Sequence, residues 1–301
     1  MSLSSALGAA MSGLNVSQAG IDVTSRNIAN AGTPGYTRKV QNQVNALAGG
    51  EGIGVRREAA QRQIDTFLQQ QLRTSTASAA SLNLKSAMLG RIDRMFGTPD
   101  SNSSIAGSIS ALATMLQELA DNPESDAARQ SLLGEAGNLA AKMNTMSDTI
   151  QDMRLEAERN IADGVEQANA LLKTIADVNN QIAQRQAGNQ SVGDLQDKRD
   201  MAIDELSRLM DVKVGNRDDG TVTVFTSGGQ LLLDRTPVEL AFDERTQIDA
   251  TSTHENGGVG TIRLISGSNS IDLMAAGAIR SGALAGYIEM RDEVLTQAQT
   301  Q

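Results

Sequence analysis

The chain has 301 residues and a formal net charge of −10, so it is long enough for two domains, and its acidity argues against nucleic acid as a partner. Aromatic residues make up only 2% of the sequence and cysteine is absent, which suits narrow Ala-, Leu-, Ile- and Met-filled helix seams better than a substrate pocket or a disulfide framework. No apolar run reaches membrane-spanning length, and the N-terminus lacks the basic segment and compact apolar core of a secretory signal peptide.

The first predicted element is a helix with a heptad seam. Positions 3, 7, 10, 14, 17, 21, 24 and 28 step alternately by four and three residues, which is the pattern of a helix that lies along another helix. Between Met1 and Pro34 only Asp22 and Arg26 are charged. Because such a helix is marginal alone in water, it needs partner helices. Its candidate assembly residues, here called the seam, are Leu3, Leu7, Leu14, Ile21 and Ile28.

A helix stop follows, in the stretch Asn27-Ile28-Ala29-Asn30-Ala31-Gly32-Thr33-Pro34-Gly35-Tyr36. Asn30 and Gly32 can adopt the left-handed conformation that closes a helix. Pro34 pushes Thr33 toward extended geometry and cannot donate a backbone hydrogen bond. We therefore predict an abrupt helix end and a turn, with Tyr36 packed on the neighbouring backbone. The candidate residues of this stop motif are Asn27, Asn30, Thr33, Pro34, Gly35 and Tyr36.

A polar connector and a second helix come next. Residues 37–57 contain the glycine-rich stretch Gly49-Gly50-Glu51-Gly52-Ile53-Gly54, which lacks the Lys-Ser/Thr and the preceding buried strand of a phosphate-binding loop. A turn or short hairpin is expected there. The second helix is predicted from about Glu58 to Phe96, ended by Gly97-Thr98-Pro99. One heptad-spaced track on it consists of Ile64, Leu68, Leu82, Leu89, Ile92 and Phe96.

Two further helices precede residue 188. The shorter is predicted over 104–120, with an apolar face, and is broken by Asn122-Pro123. The longer is predicted from about Glu124 to Gln186, and its apolar residues keep four-three spacing. It would span roughly 90 Å at about 1.5 Å per residue, so it must form an elongated antiparallel bundle with the helices before and after it.

The remaining third of the chain changes character. Gly188-Asn189 caps the long helix, and a return helix is predicted from Gly193 to about Met210. Strands are predicted at Thr221–Phe225, Leu231–Leu233, Val238–Phe242, Thr261–Ile265 and Ser270–Leu273. Turns are predicted at 216–220, 227–229 and 266–269. A last helix begins near Ala283.

The predicted fold class is α+β. It combines an N-terminal coiled-coil helix, an elongated antiparallel helical bundle with one very long helix, and a small antiparallel β region. The predicted divisions are the N-terminal helix and turn (1–36), a connector (37–57), the bundle (58–210), the β region (211–280) and a returning helix (281–301).

Three polar groups could carry chemistry, and the sequence favours a structural role for each. His254 lacks a second histidine at zinc-binding spacing, so an exposed loop residue is expected. The turn Asp218-Asp219-Gly220 lacks the alternating carboxylates of a calcium loop. A solvated helix face with local ion pairs is expected for Asp197, Arg199, Asp200, Asp204 and Glu205. We therefore predict no catalytic, cofactor-binding or metal site, and no enzyme.

The stretch from Leu7 to Arg38 resembles the N-terminal signature of the bacterial flagellar rod, hook and hook-associated axial proteins, with Asn-Ile-Ala-Asn running into Thr-Pro-Gly-Tyr. Three later segments resemble the hook-associated protein 1 branch of this family. The first is Gly52-Ile53-Gly54-Val55 followed by Arg62, Asp65, Phe67-Leu68 and Gln71-Leu72-Arg73. The second is Asp194-Leu195-Gln196-Asp197-Lys198-Arg199-Asp200 with Ile203–Ser207 and Val212. The third is Gly282-Ala283-Leu284-Ala285-Gly286 with Arg291-Asp292.

This resemblance implies a structural component of the bacterial flagellum at the hook–filament junction, secreted through the type III export apparatus. It implies that the N-terminal helix pairs with a C-terminal helix and that subunits assemble into a ring or tube. The implied partners are the hook protein, the second hook-associated junction protein and an export chaperone. Because members of this branch extend well beyond the equivalent of Gln301, we expect the chain to be a fragment that lacks the chaperone site.

A second reading is a secreted coiled-coil adhesin or effector that uses the β region as a binding head. Such a protein would not need the motif that runs from Asn27 to Tyr36. The motif therefore favours the flagellar interpretation over the adhesin.

Overall fold

The protein is mostly helical, and its strands occur in short antiparallel groups. The computed structural model describes residues 3–98, 101, 104–188, 190–267 and 269–300. Its helices are α1 (Leu3–Ala29), α2 (Thr66–Phe96), α3 (Ile105–Asp121), α4 (Asp126–Ala187), α5 (Gly193–Leu209), α6 (Ala283–Glu289) and α7 (Leu295–Thr300). Its strands are β1 (Lys39–Val40), β2 (Gln43–Ala48), β3 (Glu51–Arg57), β4 (Gln61–Arg62), β5 (Val212–Asn216), β6 (Val222–Thr226), β7 (Leu231–Leu233), β8 (Glu239–Phe242), β9 (Ile262–Ser266) and β10 (Asn269–Asp272).

The long helix α4 is the scaffold of the molecule. It has 62 residues and begins at an N-cap, where the Ser125 hydroxyl accepts a hydrogen bond from the Ala128 N–H at 3.2 Å. At about 1.5 Å per residue its length is about 93 Å. The prediction of one helix over this region and the α+β class are both confirmed. Among the residues of the predicted turns and caps, three lie outside the described part of the chain: Pro99, Asn189 and Ser268.

The predicted start of α2 at Glu58 is wrong by eight residues. The Asp65 carboxylate caps the helix by accepting hydrogen bonds from the N–H groups of Phe67 and Leu68, both at 3.0 Å. The residues before it are extended, because β4 pairs antiparallel with β1. Pairing with a distant segment therefore overrides the helical tendency of this polar stretch.

The apolar track predicted on α2 is also largely wrong. Except for Ile92, its members are exposed: Ile64, Leu68, Leu82, Leu89 and Phe96. The buried face consists instead of Arg73, Ala77, Ser81, Met88 and Ile92. Small residues dominate its middle because α6 crosses there, and a Cβ added to Gly286 would lie 3.3 Å from the Ser81 Cα.

Two buried apolar clusters hold α4 in place. The larger joins the C-terminal half of α4 to α5, α6 and both of the sheets described below, through residues such as Ile161, Leu172 and Ile203. The smaller joins Ile150 and Met153 to α2, to α7 and to the π-helical turn Met290–Val294 that links α6 to α7. The N-terminal part of α4 instead packs against α3, and the two helices keep several large apolar residues exposed: Ile109 and Leu116 on α3, and Leu133 and Met143 on α4.

The β region forms two three-stranded antiparallel sheets where one small sheet was expected. Their strand orders are β5-β6-β7 and β10-β9-β8. Strand β5 was not predicted; it pairs with β6 so that Val214 lies opposite Val224. The predicted short hairpin in residues 37–57 is confirmed as β2–β3, whose turn residues Gly49 and Gly50 have φ of 59° and 87°. Positive φ at both positions matches the right-handed twist of the paired strands.

Candidate assembly site

The seam of α1 faces solvent. Leu3 is 90% exposed and Leu14 is 68% exposed, and the other three seam residues, Leu7, Ile21 and Ile28, are exposed as well. A stripe of large apolar side chains along about 40 Å of helix marks a surface that proteins normally cover by association. The exposure is what packing against other helices requires, and assembly through the seam stays a prediction.

The opposite side of α1 is supported within the chain, contrary to the expectation of a helix that depends wholly on partners. Val16 is buried there, and the Ser12 hydroxyl accepts a hydrogen bond from the Val55 N–H at 3.1 Å. A Cβ added to Gly54 would lie 2.4 Å from the Ser12 Oγ, so the glycine permits the close approach of β3. The hairpin therefore covers one face of α1 and leaves the seam exposed.

The predicted helix end is confirmed, but the glycine with positive φ is not the expected one. Asn30 N–H donates to the Arg26 carbonyl at 3.0 Å, and Thr33 N–H donates to the Asn30 carbonyl at 2.9 Å. The chain thus leaves the helix through successive short turns. Positive φ occurs at Gly35 (78°) and not at Gly32, because the sharp change of direction comes after Pro34.

Asn27 ties the end of α1 to strand β1. Its side-chain amide donates to the Lys39 carbonyl at 2.8 Å, and its carbonyl oxygen accepts from the Lys39 N–H at 3.0 Å. The same oxygen accepts from the Tyr36 hydroxyl at 2.9 Å, and the Lys39 Nζ lies 3.9 Å from the centre of the Tyr36 ring. Tyr36 therefore contacts side chains specifically, beyond the backbone packing that was predicted.

The next residue along, Thr37, begins the connection to helix α5. The buried Asp197 carboxylate accepts hydrogen bonds from the Thr37 hydroxyl at 2.5 Å, from Lys39 Nζ at 2.6 Å and from Arg62 Nη1 at 2.9 Å. The Thr37 N–H adds a longer contact at 3.4 Å. A carboxylate offers about four acceptor positions, so this one is saturated by donors from residues 37–62.

Further charged residues extend this contact into one network. Arg62 also reaches Asp200 at 2.6 Å, and the Arg73 Nε donates to Asp204 at 2.6 Å. The network, here called the ion cluster, contains four cations and four carboxylates: Lys39, Arg62, Arg73, Arg199, Asp194, Asp197, Asp200 and Asp204.

The expectation of a solvated face on α5 is wrong for its central residues. Asp197, Arg199 and Asp200 are buried, at 5%, 5% and 8% exposure, whereas Lys198 between them is exposed. Helix α5 packs against both α2 and α4, so this charged side faces protein. The cations that donate hydrogen bonds to its carboxylates lie 131 to 158 residues earlier in the sequence.

Three members of the ion cluster, Asp197, Lys39 and Arg199, have pKa values that differ from their ordinary ones. Burial acts to raise the pKa of Asp197, but hydrogen bonds from Lys39, Thr37 and Arg62 outweigh it and hold that pKa below its ordinary value. Burial acts to lower the pKa of Lys39, yet its bonds to Asp194 and Asp197 raise it overall. Burial lowers the pKa of Arg199 to about 10, which still leaves the guanidinium protonated.

A second buried charge group lies where α4 meets the C-terminal helices. Arg291 and Glu158 are fully buried and paired, and Arg291 Nη1 also donates to the Gly260 carbonyl at 3.1 Å. The other Glu158 oxygen accepts from the N–H groups of Gly260 and Arg245, both at 2.9 Å. Arg154, one turn before Glu158, donates to the Arg291 carbonyl at 3.1 Å. Sequence reasoning missed this group, although Arg154 and Glu158 each come directly after an apolar core residue of α4, Met153 and Ala157, and could have indicated it.

His254 lies in a loop, as predicted, but its side chain is half-buried and not exposed. Its Nε2 lies 3.0 Å from Asp272 Oδ2 and 3.3 Å from Thr261 Oγ1, which joins the loop before β9 to β10. Among the described residues, no group of three or more His, Asp or Glu side chains is arranged to hold a metal ion. Within the same part of the chain, no helix combines the length and apolarity that crossing a membrane requires.

Gly35→Ala is expected to loosen the attachment of α1. A Cβ at this position would lie 2.3 Å from both Cγ and Sδ of Met201, and the positive φ adds about 1–3 kcal/mol of backbone strain. Hydrogen exchange of the Lys39 amide should therefore speed up about tenfold or more, since about 1.4 kcal/mol corresponds to a factor of ten. The matched control is Gly32→Ala, where nothing lies within 4 Å of the added Cβ. Equal exchange rates in the two variants would contradict a tight contact at Gly35.

Comparison of the sequence with known proteins identifies its relatives. Residues 89–301 match the family described as "Flagellar hook-associated protein FlgK helical domain", and residues 7–37 match the family described as "Flagella basal body rod protein". The chain is 30% identical over 305 residues to flagellar hook-associated protein 1 of Salmonella typhimurium, covering 99% of this chain and 53% of the relative. It is 26% identical over 307 residues to the protein of the same name from Bacillus subtilis, covering 95% of this chain and 60% of the relative.

A solved structure gives the same result at the level of the fold. The flagellar hook junction protein FlgK from Burkholderia pseudomallei superposes with a TM-score of 0.62 at 28% identity, over 74% of this chain and 39% of that one. The chain spans about half the length of the curated relatives it matches. Since the helical-domain family alone matches well over half of the residues, the chain belongs to the flagellar hook-associated protein 1 family.

Proposed function

We propose that this protein is a structural component of the bacterial flagellum that forms the junction layer between hook and filament by helical packing of subunits. The observation that carries the proposal is the exposed seam of α1, held on a body that otherwise has its own buried core. A lone chain gains nothing from such a stripe, whereas a ring or tube of subunits would bury it at every contact.

The proposed mechanism is geometric. The seam helix pairs with other helices and contributes to the wall of a tube, and the bundle around α4 forms the next shell outward. Contacts repeated head to tail around a closed ring generate a short tubular layer. We propose the hook protein and the second junction protein as its neighbours on the two sides, and secretion through the flagellar export apparatus and its chaperone as the route to this extracellular position.

We propose that the function divides along the chain as the sequence predicted, with one revision. Residues 1–36 serve axial packing, 66–210 form the bundle, 211–280 the β region and 281–300 the returning helices. The revision concerns the connector, which extends to residue 65 and does more than connect, because β1 pairs with β4, and β1 and the Thr37 hydroxyl bind the end of α1 to α5. A structural role without catalysis fits the two charge groups, whose members pair with each other inside the protein.

The test is deletion of the gene in the source bacterium, followed by electron microscopy of the cells. Hooks without filaments are expected, and the full-length gene supplied in trans should restore filaments. Filaments of normal number and length in the deletion strain would overturn the proposal, and loss of attachment to surfaces with intact filaments would favour an adhesin.

A further inference from the structure

We propose that Asp197 is a positioning residue for assembly: its carboxylate fixes the direction in which α1 leaves the bundle. This inference deepens the proposed function and rests on it, since direction matters only if α1 packs against other subunits. The residues that make the connection, here called the latch, are Thr37, Lys39, Arg62 and Asp197.

The latch joins two parts of the chain through one buried acceptor. Its three donors lie just after the stop motif or on the short strands β1 and β4, whereas Asp197 lies on α5 within the bundle. The donor–acceptor distances of 2.5, 2.6 and 2.9 Å are those of charge-assisted or short hydrogen bonds. Each donor has its own direction, so together they fix the orientation of β1 relative to α5.

Hydrogen bonds between β1 and α1 make the orientation of α1 depend on that of β1. Asn27, in the last turn of α1, bonds both the N–H and the carbonyl of Lys39, and Lys39 also carries the ammonium that binds Asp197. Gly35 touches Met201, one turn along α5 from Asp197, and provides a separate point of contact. The end of α1 is thus held by a hydrogen-bonded pair on one side and a packed contact on the other.

A small change at the latch is enlarged at the far end of the helix. Helix α1 has 27 residues, so it is about 40 Å long, and a tilt of about 10° moves its tip by about 7 Å. The displacement is sideways and is close to the roughly 8–10 Å that separates the axes of packed helices, so the tip of the seam would lose its contact with a partner helix. If Asp197 fixes the direction of α1, it also determines whether the seam can pack against helices of other subunits.

Buried ion pairs suit this role better than the role of a general stabiliser. The cost of removing charges from water offsets much of their attraction, so such pairs contribute little net stability. In some proteins they select one arrangement over others, and that is the role we propose for Asp197. Asp204 provides a comparison within the same helix. Its carboxylate binds Arg73 of α2, inside the bundle, and its side chain is 47% exposed.

The test measures the direction of α1. The chain has no cysteine, so Ala6→Cys near the tip of α1 and Lys173→Cys on α4, both exposed, place two spin labels specifically. In this background Thr37→Val removes one donor without unpairing the charges, and Asp197→Asn removes the charge itself. Both should broaden the distribution of label-to-label distances by about 7 Å or more, the displacement of a modest tilt. Asp204→Asn, the matched control, should leave the distribution unchanged.

Thr37→Val decides the result if Asp197→Asn does not fold. An unchanged distance distribution in Thr37→Val, and in any folded Asp197→Asn protein, would overturn the inference. In the full-length gene, the same two substitutions should reduce filament growth at normal secretion, whereas Asp204→Asn should not. Broadened distances with normal filaments would also overturn the positioning role, yet would leave the proposed function standing, because that function is tested separately by gene deletion.

Discussion

Ile150→Asp is expected to lower the free energy of unfolding by more than about 4 kcal/mol, an effect reached by few single substitutions. Ile150 is 2% exposed and packs in the smaller apolar cluster with residues of α2, α7 and the π-helical turn. The change removes a buried side chain, leaves a cavity and buries a carboxylate. The buried guanidinium of Arg154, one turn further along α4, already donates to the carbonyls of Arg291 and Asp249. Since 1 kcal/mol shifts the melting temperature of a domain this size by about 2–4 °C, a fall of about 10 °C or more is expected by circular dichroism.

Lys198→Ala is the matched control. Lys198 lies on α5 among buried charges but is itself exposed, so its loss should change stability by no more than about 0.5 kcal/mol. Similar melting temperatures for Ile150→Asp and the wild-type protein would show that the middle of α4 does not form the core described above.

Leu14→Asp in the full-length protein is expected to abolish filament growth while leaving the melting temperature of the bundle almost unchanged. Leu14 is 68% exposed in the single chain, so a charge there disturbs nothing within the subunit. Between subunits the same charge would be buried without a partner, which costs several kcal/mol at each contact. A ring repeats that cost at every subunit. The measurement is filament length in a deletion strain that carries the variant gene, with the secreted variant quantified in the medium.

Asn15→Asp introduces the same charge on the neighbouring residue of α1, about 100° around the helix from the seam. Asn15 is exposed, so this variant should assemble normally. Normal filaments built from secreted Leu14→Asp protein would remove the seam from the mechanism. Loss of filaments in both variants would point to a general effect of charge on α1 and would also contradict a specific seam.

Features that depend on nearby residues were predictable from the sequence. Helix α4 was found because its four-three spacing persists over many turns, and the end of α1 was found because Pro34 and its neighbours restrict the backbone locally. The apolar stripe of α1 was found because its four-three spacing runs from Leu3 to Ile28. In each case the information lies within about one heptad of the residue concerned.

Features that depend on distant residues were not predictable. The charged residues of α5 were interpreted as a solvated face. The cations that pair with its carboxylates, such as Arg62 and Lys39, lie far away in the sequence and could not be recognised as partners. The buried face of α2 was misplaced because it contains small residues, Ala77 and Ser81, which allow α6 to cross closely. The prediction was based on large apolar residues and therefore overlooked them. Periodicity therefore located helices reliably but did not identify which side of α2 or α5 is covered.

The wide separation of the latch residues along the sequence also constrains the order of folding. Asp197 and its donors are 135 to 160 positions apart, so the latch cannot close before α5 has formed. Contacts between residues so far apart in the sequence form slowly. The chain must first lose the entropy of closing a long loop before the contact contributes any favourable free energy. Helix α1 and its supporting hairpin can form early from neighbouring residues, but the helix acquires its direction only after two-thirds of this chain is available. Until then the seam is present without a fixed orientation, so under the proposed positioning role an incomplete chain would not present its seam in the direction that assembly requires.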